Sequence, residues 1–373
     1  MDGSIRIGSI FGIPVGIHYT WFAVFLLVTV NLVFFFGGEA AYPEWSLFER
    51  IVVAVITSLL FFTSVLVHEL AHSVVAMRKG IPVKSITLFI FGGVAQITRE
   101  ASRPGVEASI AIVGPLMSLA LSAAFYAIYF IVGPTFEHVA AAAWWLGLIN
   151  LSLAIFNMLP GFPMDGGRVF RALVWGLTNN YGTATKVAST TGRLFGFLLI
   201  VAGSIQLFAT GDLGGLWLVL IGWFLENAAR SSYKQYQLKD ALEGITARDA
   251  MVPPCAAVQP YVTLDLLVTG YMLPTGSRCF SVPQDDGTTG LVTFGSVSEV
   301  PREQWQERTV ADVMVPAQQV LTAKSTDEAV NVLMLMLEKG VNQVPVMDDG
   351  RIVGLVTRES LLQIVRIRSD LVV

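Results

Sequence analysis

Residues 65–77 read VLVHELAHSVVAM, two histidines and a glutamate set in an otherwise apolar run. The run reaches back to residue 51, long enough as a helix to cross a bilayer. On a helix His68 and His72 stand at i and i+4, so their rings project from one face about a turn apart. That spacing brings two imidazole nitrogens within reach of one zinc ion at ~2.0–2.1 Å. Glu69 falls on the neighbouring face, where a carboxylate can take a proton from a metal-activated water without ligating the ion. Three ionisable groups near the middle of a span are costly to keep, and a functional site is the default reason for keeping them.

The surrounding chain fits a membrane setting. Of its 373 residues 54% are hydrophobic and only 14% charged, against about 25% charged in soluble domains. Apolar stretches fill the chain as far as Arg230, and charge returns after it. Candidate spans are 19–36, 51–77, 108–131, 139–159, 194–209 and the short 213–225, a count of six with five as the alternative. With six, one set of loops holds Arg78, Lys79, Lys84, Arg99, Arg103, Arg168, Arg171, Lys186 and Arg193, and Arg230, Lys234 and Lys239 follow the last span on that side. The opposite loops hold only Arg50, so a multi-pass protein of the cell membrane with both termini cytoplasmic is expected. The start, MDGSIRIGSIFGIPVG, lacks a basic n-region and a small-residue cleavage site, which marks the first span as a retained anchor. A net charge of −4 gives no reason to expect nucleic acid as a partner. Cys255 and Cys279 are too few and too far apart for a disulfide framework or a cysteine zinc site.

Two stretches break the helical pattern. Residues 84–98, KSITLFIFGGVAQIT, are β-branched and aromatic around Gly92 and Gly93, and predict a strand or hairpin at membrane depth. Residues 157–168, NMLPGFPMDGGR, cannot stay helical through Pro160 and Pro163. A catalytic zinc needs a third protein ligand, and His18, Glu100, Glu107, His138 and Asp165 are the candidates. His138 falls in a loop on the far side and His18 begins the first span. Asp165 fits best, approaching on a non-helical backbone from the same membrane face; its other reading is an N-cap for the helix that follows.

Beyond the last span the chain repeats itself. ITARDAMVP (245–253) recurs as RTVADVMVP (308–316), VPQDDG (282–287) as VPVMDDG (344–350), and GLVTF (290–294) as GLVTR (354–358). The offsets of 62 to 64 residues imply two small α/β modules in tandem. The expected organisation is a polytopic α-helical membrane domain with a membrane-associated β-hairpin at 1–229, a linker at 230–244, and modules at 245–305 and 306–373.

HELAH in a span, FGG at 91–93, VGPLMSLAL at 113–121 and FNMLPGFPMDGGR at 156–168 together resemble the site-2 protease family of intramembrane zinc metalloproteases. The resemblance covers most of 1–229. It implies zinc held by His68, His72 and Asp165, with Glu69 as general base. By the same resemblance Asn157 would contact or polarise the substrate backbone, its other reading being a helix stop; Gly92 and Gly93 read either as room for that backbone to come close or simply as a tight turn. The implied substrate is a transmembrane protein in the lipid bilayer, such as a membrane-anchored regulator or signal-peptide remnant, unwound locally before cleavage. The loops opposite the HELAH face are too short for the family's usual PDZ insertion, which groups this chain with members carrying cytoplasmic CBS modules.

The repeat itself resembles a tandem CBS pair, a module that often binds adenine nucleotides and regulates an attached domain. Thr293 and Thr357 match the ribose-contacting threonine of that module, but Ser296 and Ser360 stand where an aspartate is usual. A folded platform that forms a homodimer and controls access sterically is the other reading of the tail. The alternative for the whole chain is a CBS-regulated transporter or channel, which has no need of a glutamate beside two i,i+4 histidines.

Overall fold

The structure is a computed structural model and describes residues 4–38, 42, 44–90, 92–97, 99–284, 289–316, 319–348 and 351–371. Packing divides the chain into two units, Met1–Lys234 and Gln235–Val373. The first holds helices α1 (Thr20–Phe36), α2 (Leu47–Arg78), α3 (Pro104–Val132), α4 (Glu137–Asn157), α5 (Asp165–Thr178), α6 (Tyr181–Thr210) and most of α7 (Gly214–Leu242). By length and composition α2, α3, α4 and α6 can each cross a membrane, while α1 is apolar but has 17 residues. Helix α7 continues well past the apolar stretch that ends at residue 225, because residues 226–242 contain no glycine or proline. The 230–242 part of the expected linker is therefore helical.

Helix α2 carries HELAH, and its local sequence sets where it begins. Ser46 caps the first turn by accepting from the Glu49 N–H, while the Glu49 carboxylate accepts from the Ser46 N–H at 2.7 Å. This reciprocal capping box satisfies two backbone donors that would otherwise be orphaned.

A four-stranded sheet packs beside α2 in the order β1 (Ser4–Ile10), β2 (Ile13–His18), β3 (Val83–Phe89), β4 (Gly92–Ile97). Residues 84–98 form β3 and β4, paired antiparallel, with Phe91 and Thr98 outside the described residues. The two N-terminal strands go beyond the expectation from sequence. Their signal is alternation: Ile5 and Ile7 on one side of the Phe11-Gly12 turn, Ile13, Val15 and Ile17 on the other. Both turn residues have positive φ, the geometry that suits a two-residue hairpin. Strand β2 then pairs parallel with β3, a contact between distant segments that no local pattern announces. Ile13 and Ile86 pack against Leu70, inside HELAH, so the sheet rests on the helix face next to the histidines.

In the second unit β5 (Cys279–Pro283) pairs with β6 (Thr289–Thr293), and β7 (Gln343–Asp348) with β8 (Arg351–Thr357), both antiparallel. Parts of the two acidic turns, 285–288 and 349–350, lie outside the described residues. The sequence repeat and the packing divide this unit differently. One core joins Ala247 and Ala250 to Val344, Val346 and Val356; the other joins Val310 to Phe280, Val282 and Val292. Each Met-Val-Pro segment likewise bridges the sheet of the other copy, Val252 to Leu355 and Val315 to Leu291.

Cys255 and Cys279 are joined in a disulfide, Cα to Cα 5.7 Å, a single bond that the sequence reading, which weighed only a disulfide framework or a zinc site, did not foresee. Segment 256–258 runs beside β5, with the Val258 N–H donating to the Ser281 carbonyl and the Ser281 N–H to that of Ala256. This pairing closes the sequence gap. The bond spans a sequence separation of 24, and the chain-entropy model assigns such a loop about 3.5 kcal/mol. Adding dithiothreitol to the intact protein is therefore expected to lower the thermal midpoint of the C-terminal transition; an unchanged midpoint with free thiols demonstrated would refute the contribution.

Candidate metal centre

His68 and His72 are each 4% exposed, and their rings are oriented from behind. The His72 Nδ1–H donates to the Ile110 carbonyl of α3 at 2.6 Å, and His68 Nδ1 lies 2.8 Å from Ser118 Oγ of the same helix. The carbonyl can only accept, so neutral His72 carries its proton on Nδ1 and presents a bare Nε2. Both Nε2 atoms turn forward to Asp165. Each is 3.1 Å from Asp165 Oδ2, and they are 3.2 Å from one another.

Three donor atoms thus form a nearly equilateral triangle. With two imidazole nitrogens and a carboxylate oxygen facing one another, the arrangement can hold a cation. A tetrahedral zinc with bonds of ~2.0–2.1 Å needs its donors about 3.3 Å apart, close to the spacing observed. Among the described residues this is the group of three that could hold a metal ion. The nitrogens' outer partners are of the kind that orient metal-binding histidines.

Asp165 is the first residue of α5, and Met164 occupies the N-cap, so the carboxylate is not the helix cap. It stands in the first turn, where the positive end of the helix dipole favours a negative charge. The preceding loop is anchored on α6 by the Phe162 N–H donating to the Ala188 carbonyl.

Glu69 lies on the sheet side of the pair. A Cβ built on Gly93 would fall 2.4 Å from Glu69 Cγ, so only glycine in β4 lets this side chain pack there. Gly92 supplies the hairpin turn with φ +120°, closed by the Phe89 pairing. Asn157 is the half-buried last residue of α4.

The remaining candidates sit elsewhere. His18 Nδ1 is 2.8 Å from Thr20 Oγ1, and His138 stacks on Trp45 and faces Glu49 at 3.6 Å. Glu107 is paired with Arg171. In the tail, Thr293 and Thr357 are N-caps: their hydroxyls accept from the Ser296 and Ser360 N–H groups at 3.2 and 3.0 Å.

Sequence reasoning missed Gly114. It backs directly onto the donors, and a Cβ on it would lie 2.1 Å from His72 Nε2 and 2.7 Å from His68 Nε2. The GP pair inside an apolar span was its one visible signal.

Known proteins resemble both parts of the chain. Residues 56–143 and 133–201 match the model of Peptidase family M50, and 310–367 match that of the CBS domain. A Synechocystis protein named "Putative zinc metalloprotease sll0528" is 35% identical over 97% of this chain and 96% of its own length. "Putative zinc metalloprotease Rip3" of Mycobacterium tuberculosis is 33% identical over 98% and 93%. Among solved structures, the site-2 protease from Methanocaldococcus jannaschii is 28% identical, covering 62% of this chain and 95% of its own, with a TM-score of 0.44. This chain belongs to peptidase family M50, the site-2 proteases, and carries a CBS domain.

Proposed function

We propose that this protein is a zinc-dependent metalloendopeptidase that cuts other membrane proteins within or near their transmembrane segments. The observation that carries the reading is the convergence of His68 Nε2, His72 Nε2 and Asp165 Oδ2 on a helix of membrane-spanning length, with Glu69 beside them. Relatives named as zinc metalloproteases over nearly the whole chain favour it over a transporter.

In this reading His68, His72 and Asp165 hold one zinc ion. Bound zinc supplies Lewis-acid chemistry, lowering the pKa of water toward ~7 and polarising the scissile carbonyl. Glu69 accepts the proton that the attacking water gives up and passes it to the leaving amine. Ser118 and the Ile110 carbonyl hold the two imidazoles in register throughout. Among the described residues β4 is the last strand of the sheet, and its outer edge offers backbone donors and acceptors to an unwound substrate segment. Gly92 and Gly93 allow that approach, and Asn157 adds a side-chain amide to the substrate backbone.

The membrane topology belongs to the same proposal: six spans, with both termini cytoplasmic. Close packing of α6 and α7 supports a returning sixth span. A Cβ on Gly196 would lie 2.7 Å from the Gly222 carbonyl oxygen, and one on Gly203 2.5 Å from that of Gly215. We take 1–229 as the protease domain and 245–305 and 306–373 as CBS domains that regulate it from the cytoplasm, with homodimerisation through them. An adenine nucleotide is the ligand class to test on the tail, although the Thr293 and Thr357 hydroxyls are already engaged as caps.

The test is zinc content. Purified wild-type protein is expected to hold about one zinc per chain, and Asp165→Ala to lose it to a chelator far more readily. Wild type that takes up no zinc would sink the reading.

A further inference from the structure

Helix α5 brings the metal centre more than Asp165. Six residues on, Arg171 turns back to α3, where its Nε–H donates to Glu107 Oε1 at 2.7 Å and its Nη2 group reaches the same oxygen. The pair is enclosed, with Glu107 1% exposed and the Arg171 side chain 14%. Two aromatic rings grip the guanidinium, Phe162 at 4.9 Å and Tyr181 at 4.7 Å from their centroids. Among the described residues the second carboxylate oxygen of Glu107, also buried, has no hydrogen-bond partner. A buried charge pair satisfied on one side alone is an expensive feature, and its location gives the reason for keeping it.

Its neighbours on both helices belong to the metal centre. Glu107 stands one helical turn before Ile110, whose carbonyl receives the His72 Nδ1–H. Phe162, under the guanidinium, comes three residues before Asp165 in the loop that delivers the carboxylate. The pair therefore ties the part of α3 that orients an imidazole to both flanks of the aspartate.

We infer that Arg171, through Glu107, is a positioning residue for the metal centre: it holds Asp165 at the distance from His68 and His72 at which three donors share one cation. This inference rests on the proposed zinc site. The fork geometry matters to it, because a guanidinium presents two N–H groups in a fixed plane and stacks between rings, while a single ammonium does neither.

The test uses the full-length protein with cobalt(II) as a visible probe of the ligand set, together with chelator competition. Arg171→Gln is expected to weaken cobalt binding about 10- to 100-fold and to shift the visible absorption toward that of Asp165→Ala. Arg193→Gln breaks a second inter-helix pair, to Glu226 at 3.2 Å, and is expected to leave the spectrum unchanged, which separates positioning from a general loss of helix packing. Should Arg171→Gln fail to fold, the near-isosteric Glu107→Gln is judged by the same criterion. A folded variant with affinity within twofold of wild type and an unaltered spectrum would overturn the inference while leaving the zinc reading intact. No cobalt or zinc binding by wild type would instead overturn the zinc reading and this inference with it.

Discussion

Gly114→Ala is expected to abolish metal binding while leaving the helices formed. The new methyl group would fall 2.1 Å from His72 Nε2, 2.5 Å from its Cε1 and 2.7 Å from His68 Nε2, all far inside van der Waals contact. Neither ring can step aside cheaply, because each Nδ1 is held by α3 itself, at Ser118 and at the Ile110 carbonyl. Alanine is about 1 kcal/mol better than glycine in a helix interior, so a loss of zinc could not be blamed on a weakened α3. The measurement is zinc per chain beside far-UV circular dichroism: affinity lower by at least the roughly 10- to 100-fold that disturbing a metal ligand's surroundings costs, helicity unchanged. Gly105→Ala is the control, since a Cβ there meets nothing within 4 Å. Full zinc retention in Gly114→Ala would mean that the donors are used in a different arrangement from the one described.

Glu69→Gln should do the opposite, keeping the metal and losing the reaction. The amide has nearly the shape of the carboxylate and fits the same space against Gly93, but cannot accept and return a proton. A positioned general base contributes typically 10²–10⁴-fold, so cleavage of a transmembrane substrate should fall by about that factor. Zinc content is measured on the same sample. Loss of zinc in Glu69→Gln would assign the carboxylate to the ligand set, and unchanged turnover would remove it from the mechanism.

How much of this could be read from sequence depends on how local each feature is. HELAH is legible because the i,i+4 spacing and the helix that gives it meaning are one continuous segment. The contact of Asp165 with that helix spans nearly a hundred residues, and the clue was the prolines and glycines that free its backbone from helical form. The parallel pairing of β2 with β3 left no such clue, and the alternation in 4–18, the local signal of β1 and β2, went unread. Gly114 is silent for another reason: a glycine in an apolar run looks the same whether it faces lipid, a neighbouring helix or two imidazoles. Arg171 was visible only as one more positive charge beside a span, because its meaning lies in Glu107, on another helix. The disulfide was hidden in the same way, by strand pairing that sequence distance does not reveal.

The crossed bridges of the tail, Val252 to Leu355 and Val315 to Leu291, bear on how such a module is inherited and assembled. What was duplicated is a stretch of about sixty residues, but neither stretch completes its own core. Each lends its opening segment to the other and takes one in return. On the ribosome the first copy must therefore wait for Val310 to emerge before its hydrophobic interior closes, and the second draws on residues made long before it. A chain cut between the copies would strand two half-built interiors rather than free one finished domain. The smallest piece that selection can add, lose or transplant intact is the pair.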